Sequence, residues 1–232
     1  MAVDVGLVDG RRDRLAAMLS DRSLAAVWLA RPNNFAWLVG GDNAVDRSAD
    51  VGVAAAGYDG EAVRVVTDDI EADRLAAEQL PAAVRVETYE WHAGALPAAV
   101  AERSPRPAAA DFDVPGLEPL DASDLRQPLT DGDVERYRDL GATVAAALEA
   151  ACRAAAPDDA ECDVAADLRA RLARAGISAP VTLVGGDERA RAYRHFTPTD
   201  ASIGDYALVS VTAERDGLIA SATRTVAFDA PE

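Results

Sequence analysis

Two hydrophobic periods share this chain. Apolar residues recur at helical spacing in 11–19, where Leu15, Ala16, Met18 and Leu19 sit among charges, and predict an amphipathic helix. A short apolar run at 24–30 predicts a strand, broken by Arg31-Pro32-Asn33-Asn34. A second apolar run, 35–39, closes on Gly40-Gly41. Segments 51–56 and 62–67 predict two strands joined by a turn at Tyr58-Asp59-Gly60. A helix over 69–80 ended by Pro81, a strand over 84–89, a helix over 94–103 and a weak last strand over 108–112 complete the pattern. Helices and strands in this order predict a small α/β domain.

Residues 105–128 hold five prolines and no strong period, which predicts a linker. Beyond it, Thr130 stands three residues before Asp133, an approximate capping box. Val134, Tyr137, Leu140, Val144, Leu148 and Cys152 then recur at three or four and predict a long helix ended by Pro157. A second helix spans 162–175 and is closed by Gly176. A strand at 181–184, a polar stretch holding His195, and strands over 206–213 and 218–228 around Arg215-Asp216-Gly217 finish the chain. The fold class is α/β (α+β), with one domain over 1–120 and another over 121–232. The final sheet is half covered, so its open face needs the first domain, a second chain, or further chain after Glu232.

Composition adds the solvent. The 232 residues carry 23 basic and 40 acidic side chains, a net charge of −17, and every basic residue is Arg. GC-rich coding explains the Arg and Ala but not the acids. Such a surface self-repels at low salt and is relieved when salt shrinks the Debye length to ~3 Å at 1 M. The expectation is a halophilic, acidic, cytoplasmic protein. The same charge argues against nucleic-acid binding, which needs a basic face. No apolar run approaches the length of a membrane span, and Met1-Ala2-Val3-Asp4-Val5-Gly6 lacks the basic and apolar regions of a signal peptide. Cys152 and Cys162 lie ten apart without a CxxC and read as free thiols. Trp28, Trp37 and Trp91 read as core residues, His92 as structural, Gly185-Gly186-Asp187 as a turn, and Glu214, Arg215 and Asp216 as a solvated hairpin tip.

Several segments, in order, resemble one family. Asn33-Asn34-Phe35-Ala36-Trp37-Leu38-Val39-Gly40-Gly41 resembles the "P-x-N-x-x-Y/W-L-T-G" signature of creatinase, prolidase and aminopeptidase P. The stretches 125–130, 133–138 and 157–165 are similar to that family's entry into its second domain and the step between its first two helices. Arg194-His195-Phe196-Thr197-Pro198-Thr199 is similar to "H-x-x-P-T", and Asp216-Gly217 with Thr223-Arg224-Thr225 to "D-G-Y-x-x-D-x-T-R-T". The set covers nearly the whole chain and resembles the pita-bread metallopeptidases. It implies a creatinase-type N-terminal α/β domain followed by the first half of a pita-bread domain.

The departures matter more. The resemblance implies two divalent metals (Mn, Co or Zn), held by two strand Asp, then by a His and two Glu in a following half. Here Ser210 and Ser221 stand at the two Asp positions, and a neutral hydroxyl supplies no charge to a hard cation. No metal or other cofactor is therefore expected. His195 matches the family's substrate-contacting His and is the one catalytic candidate. The resemblance implies a degenerate, metal-free Xaa-Pro peptidase-like protein that binds a peptide or small amide, as a homodimer, with no nucleic-acid or membrane partner. Two alternatives stay open. One is an active hydrolase, metal-dependent or metal-free, whose remaining site residues lie beyond Glu232. The other is a structural or self-association remnant.

Overall fold

The computed structural model describes residues 5–228, with side chains from residue 10, so the first four residues of the signal-peptide reading lie outside it. The chain divides into two compact units, Met1–Leu129 and Thr130–Glu232.

The first unit is built on β1 (Ala26–Leu29), β2 (Ala54–Tyr58), β3 (Val63–Asp68), β4 (Arg85–Tyr89), β5 (Ala108–Ala110) and β6 (Glu118–Pro119). Its helices are α1 (Val5–Arg22), α2 (Pro32–Val39), α3 (Ala72–Glu78), α4 (Leu96–Arg103) and the short α5 (Ser123–Arg126). The strands form one mixed sheet in the order β4-β3-β2-β1-β5-β6. β1 runs antiparallel to β2 and parallel to β5, which is parallel to β6. Every residue of β1 is buried, because both faces of the sheet are covered. Val27 and Leu29 enter the core shared with Leu15, Phe35, Leu38 and Leu75. Trp28 and Ala30, on the other face, pack with Val66, Leu96, Val100 and Phe112.

Three expectations change here. The supposed break at 31–34 is the start of α2, since Pro32 sits in its first turn, where a missing N–H costs nothing. The weak strand β5 is interior and wholly buried; three consecutive alanines carry little periodic signal yet fit between β1 and β6. The proline-rich linker also contains β6 and α5, with Leu120 N–H donating to Ala110 O. Its prolines occupy an edge strand and turns, which is where the sheet tolerates them.

The second unit comprises α6 (Asp131–Ala154), α7 (Glu161–Arg174), β7 (Ser178–Gly186), α8 (Asp187–Ala192), β8 (Tyr206–Arg215) and β9 (Leu218–Ala227). The capping box is complete: Asp133 N–H donates to Thr130 Oγ1 at 3.1 Å, and Thr130 N–H to Asp133 Oδ2 at 3.0 Å. The strands form an antiparallel sheet, β7-β8-β9. Asp216 and Gly217 join β8 to β9 with φ of 53° and 73°, the two positive values a tight primed turn requires. Val184, Ala207, Val209, Val211 and Ala213 face the helices and pack on Leu140, Val144, Leu148, Val164, Leu168 and Leu172. Gly185 and Gly186 end β7 rather than forming a turn, and the unpredicted α8 follows at once.

Candidate functional site

The inner residues of β8 alternate with an outer set, and that alternation selects the site. Ser210 pairs with Thr223 and Thr212 with Ser221 in the β8–β9 register. Since side chains on one strand alternate faces, all four hydroxyls lie on the face away from α6 and α7. Ser210 Oγ and Thr223 Oγ1 are 2.9 Å apart, and Thr212 Oγ1 and Ser221 Oγ 3.0 Å, each pair hydrogen-bonded across the strands. Ser210 and Ser221 are diagonal neighbours, roughly 7 Å apart by sheet geometry. The outer face continues through Leu183 on β7, which opposes Ser210, and Ile219 on β9, which is 56% exposed.

The His195 segment reaches the same face. A Cβ built on Gly185 would stand 2.7 Å from Phe196 Cβ and Cγ, so glycine alone lets this close approach form. Val184 faces the core, so the missing Gly185 side chain would point to the outer face, and Phe196 lies over it. Phe196 is buried and its neighbour His195 is exposed.

A buried carboxylate fixes that segment. Glu161, at the start of α7, is fully buried. Its Oε1 accepts from Gly186 N–H at 2.9 Å and Arg189 Nε at 3.0 Å. Its Oε2 accepts from Thr199 N–H at 2.9 Å and Thr199 Oγ1 at 2.7 Å. Arg189 then donates to Thr197 O at 2.9 Å. Burial alone would push the Glu161 carboxyl up, but the donors from Gly186, Thr199 and Arg189 outweigh it and hold the carboxyl below its ordinary value. In the sequence, Glu161 and Thr199 fall inside the family-like stretches 157–165 and 194–199 without a role of their own, and nothing marks Arg189. The available signal was an acid at the first position of a helix, too common to single out.

The other singled-out residues lie elsewhere. Trp28 and Trp37 are buried, but Trp91 is 59% exposed, so the core reading fails there; its backbone N–H donates to Asp69 Oδ1 in a surface turn. His92 packs edge-on to Trp91 and stands 3.8 Å from Glu90 Oε2. Cys152 and Cys162 are free and half-buried, and Cys162 Sγ donates to Asp200 Oδ1 at 3.4 Å. Glu214 accepts from Ser178 Oγ at 2.8 Å and Arg215 pairs with Asp139, so the hairpin tip is braced rather than merely solvated.

Ser210 and Ser221 do not suit a pair of divalent cations. Their hydroxyls are neutral and already bonded to Thr223 and Thr212, whereas hard cations take carboxylate oxygens. Among the described residues no three His, Cys, Asp or Glu side chains converge as a cation site. No helix among them is long and apolar enough to cross a membrane.

A comparison with curated protein sequences finds none that matches. The sequence model of metallopeptidase family M24 matches residues 135–232. Among solved structures, the prolidase from Pyrococcus horikoshii OT3 is similar with a TM-score of 0.72 at 16% identity, over 96% of this chain and 66% of that one. The Xaa-Pro dipeptidase from Bacillus anthracis gives 0.71 at 14%, over 97% and 66%. Dipeptidase PepE from Mycobacterium ulcerans gives 0.70 at 18%, over 100% and 67%. The chain thus spans about two thirds of the length of these relatives. The model of metallopeptidase family M24 thus covers almost all of the second unit, and the chain shares the fold of the prolidases.

Proposed function

We propose that this chain is a metal-free relative of the Xaa-Pro peptidases that binds a peptide or small amide without hydrolysing it. One observation carries the reading: the outer face of β8 and β9 offers Ser210 and Ser221, engaged by Thr223 and Thr212, where the resemblance implies paired carboxylates. Hydroxyls in this arrangement donate to carbonyls and accept from amides, which suits a peptide backbone and leaves a cation without charge compensation. His195 stands beside Phe196, whose approach to Gly185 brings the segment to that face, and is assigned to ligand contact. The proposed setting is a salty cytoplasm.

The test uses the full chain. Elemental analysis after dialysis should find no stoichiometric Mn, Co or Zn, and glycylproline should stay intact with Mn added. Two retained metal equivalents together with Mn-dependent release of glycine would overturn the reading.

A further inference from the structure

A second concavity lies wholly within the first unit, whereas the hydroxyl face belongs to the second. It has a volume of about 650 Å³, within the range of ordinary small-molecule sites. Its place in the fold is informative. Arg31 follows β1, Asp111 follows β5 and Leu120 follows β6, and these three strands are adjacent and parallel. The cavity therefore opens at the carboxyl ends of neighbouring parallel strands, the position where α/β sheets characteristically take ligands. The first turn of α2 also reaches it through Asn33 and Asn34.

The floor is polar and saturated on one side only. Asp111, 6% exposed, accepts from Ala30 N–H at 2.7 Å, Arg31 N–H at 3.2 Å and Asn34 Nδ2 at 2.8 Å. Its charge is thus spent on holding Arg31 and Asn34 in place. Asn34 is 5% exposed, and its Oδ1 accepts from nothing among the described residues. Arg126, also lining the cavity, has a buried Nε that donates to nothing there. One cavity thus contains an orphaned acceptor and an orphaned donor, each a cost the fold bears without internal return.

The rim carries both signs. Among the described residues the Arg31 side chain is tied through Nε to Asp111 O at 2.8 Å, and its terminal nitrogens remain for another partner. Arg126 lies in the field of Asp121 without a direct hydrogen bond to it. Asp113, exposed on the rim, completes two guanidinium groups and two carboxylates around one opening. A plain anion would meet Asp113 and Asp121, and a plain cation would meet Arg31 and Arg126. A ligand bearing both charges satisfies both pairs, and its amide N–H can serve Asn34 Oδ1.

We propose that this cavity binds a dipeptide-sized zwitterion, its carboxylate on Arg31 and Arg126 and its ammonium on Asp113 and Asp121. The proposal rests on the charges of this cavity alone and stands whether or not the hydroxyl face binds peptide.

Isothermal titration calorimetry of the full chain with glycylalanine, whose peptide bond keeps its N–H, tests it at a salt concentration where circular dichroism shows the chain folded. A saturable site sensitive to the rim variants is expected, with a dissociation constant of about 1 mM or tighter. Arg126→Gln and Asp113→Asn, both outside the floor that holds the fold, should each weaken it about tenfold, while Arg153→Gln, on the exposed surface of α6, changes nothing. N-acetyl-glycylalanine and glycylalaninamide, each missing one charge, should bind about tenfold more weakly. Absence of saturable heat to about 50 mM would overturn the proposal, as would binding that both rim variants leave intact. Equal binding of the N-acetyl form would overturn it in favour of a plain anion site. Loss of binding in Ser221→Val alone would move the ligand to the hydroxyl face.

Discussion

Glu161 holds five short contacts and no solvent, so its removal leaves Gly186 N–H, Thr199 and the Arg189 charge without their acceptor. Glu161→Ala should cost about 3–5 kcal/mol in urea unfolding, as loss of one partner of a buried ion pair does. Its carboxyl is held below the ordinary glutamate value, so its contribution is complete above that value and fades as pH falls through the folded one. Glu161→Gln should accordingly flatten the acid limb of a stability profile below about pH 4.3. Asp111 has the opposite sign. Burial, only partly offset by the donors from Ala30, Asn34 and Arg31, pushes its carboxyl up. Its charge therefore weakens the first unit as pH rises through the folded value, and Asp111→Asn should soften that loss while sacrificing an acceptor. At the open face, Ser210→Asp with Ser221→Asp would set two carboxylates diagonally across the hairpin without a cation, and one should take up a proton. The double variant should melt below the parent without metal and stay inactive on glycylproline with Mn; rapid Mn-dependent hydrolysis would count against the metal-free assignment.

Single elements were legible in proportion to how local their causes are. The α6 cap needs only residues 130–133, and both halves of the box formed, so Thr130→Ala should cost about 1 kcal/mol in thermal unfolding. The β8–β9 hairpin was readable from Asp216-Gly217 and alternating apolar residues. By contrast, β5 carries only alanines, and its rank as an interior strand comes from β1 and β6, residues distant in sequence. The turn containing Trp91 is likewise set by Asp69, 22 residues earlier, so no local pattern marks that tryptophan as exposed. Within the site, the serines were found because a motif surrounds them. The Glu161–Arg189–Thr199 network was not, since Arg189 and Thr199 stand 28 and 38 residues from the carboxylate they share.

For the whole chain, charge is the governing quantity. Against 40 acids stand 23 arginines, several already committed to backbone carbonyls, as Arg14 is to Leu125 and Pro128. Self-repulsion of the −17 charge is weakly screened once the Debye length passes ~4 Å, so the chain should lose ellipticity below about 0.5 M KCl. A melt unchanged between about 0.1 and 3 M would refute a salt requirement.

The two hydroxyl pairs also set how the open face behaves toward its surroundings. In each, either oxygen can be the donor, so rotation of two C–O bonds reverses the polarity of the pair at no cost in charge. Such a surface is ambidextrous: it can offer a proton to one neighbour and a lone pair to the next. Neither form titrates between about pH 5 and 9, so the hydroxyl pairs themselves are indifferent to acidity across that span, unlike a hydrolytic centre poised on an ionisation.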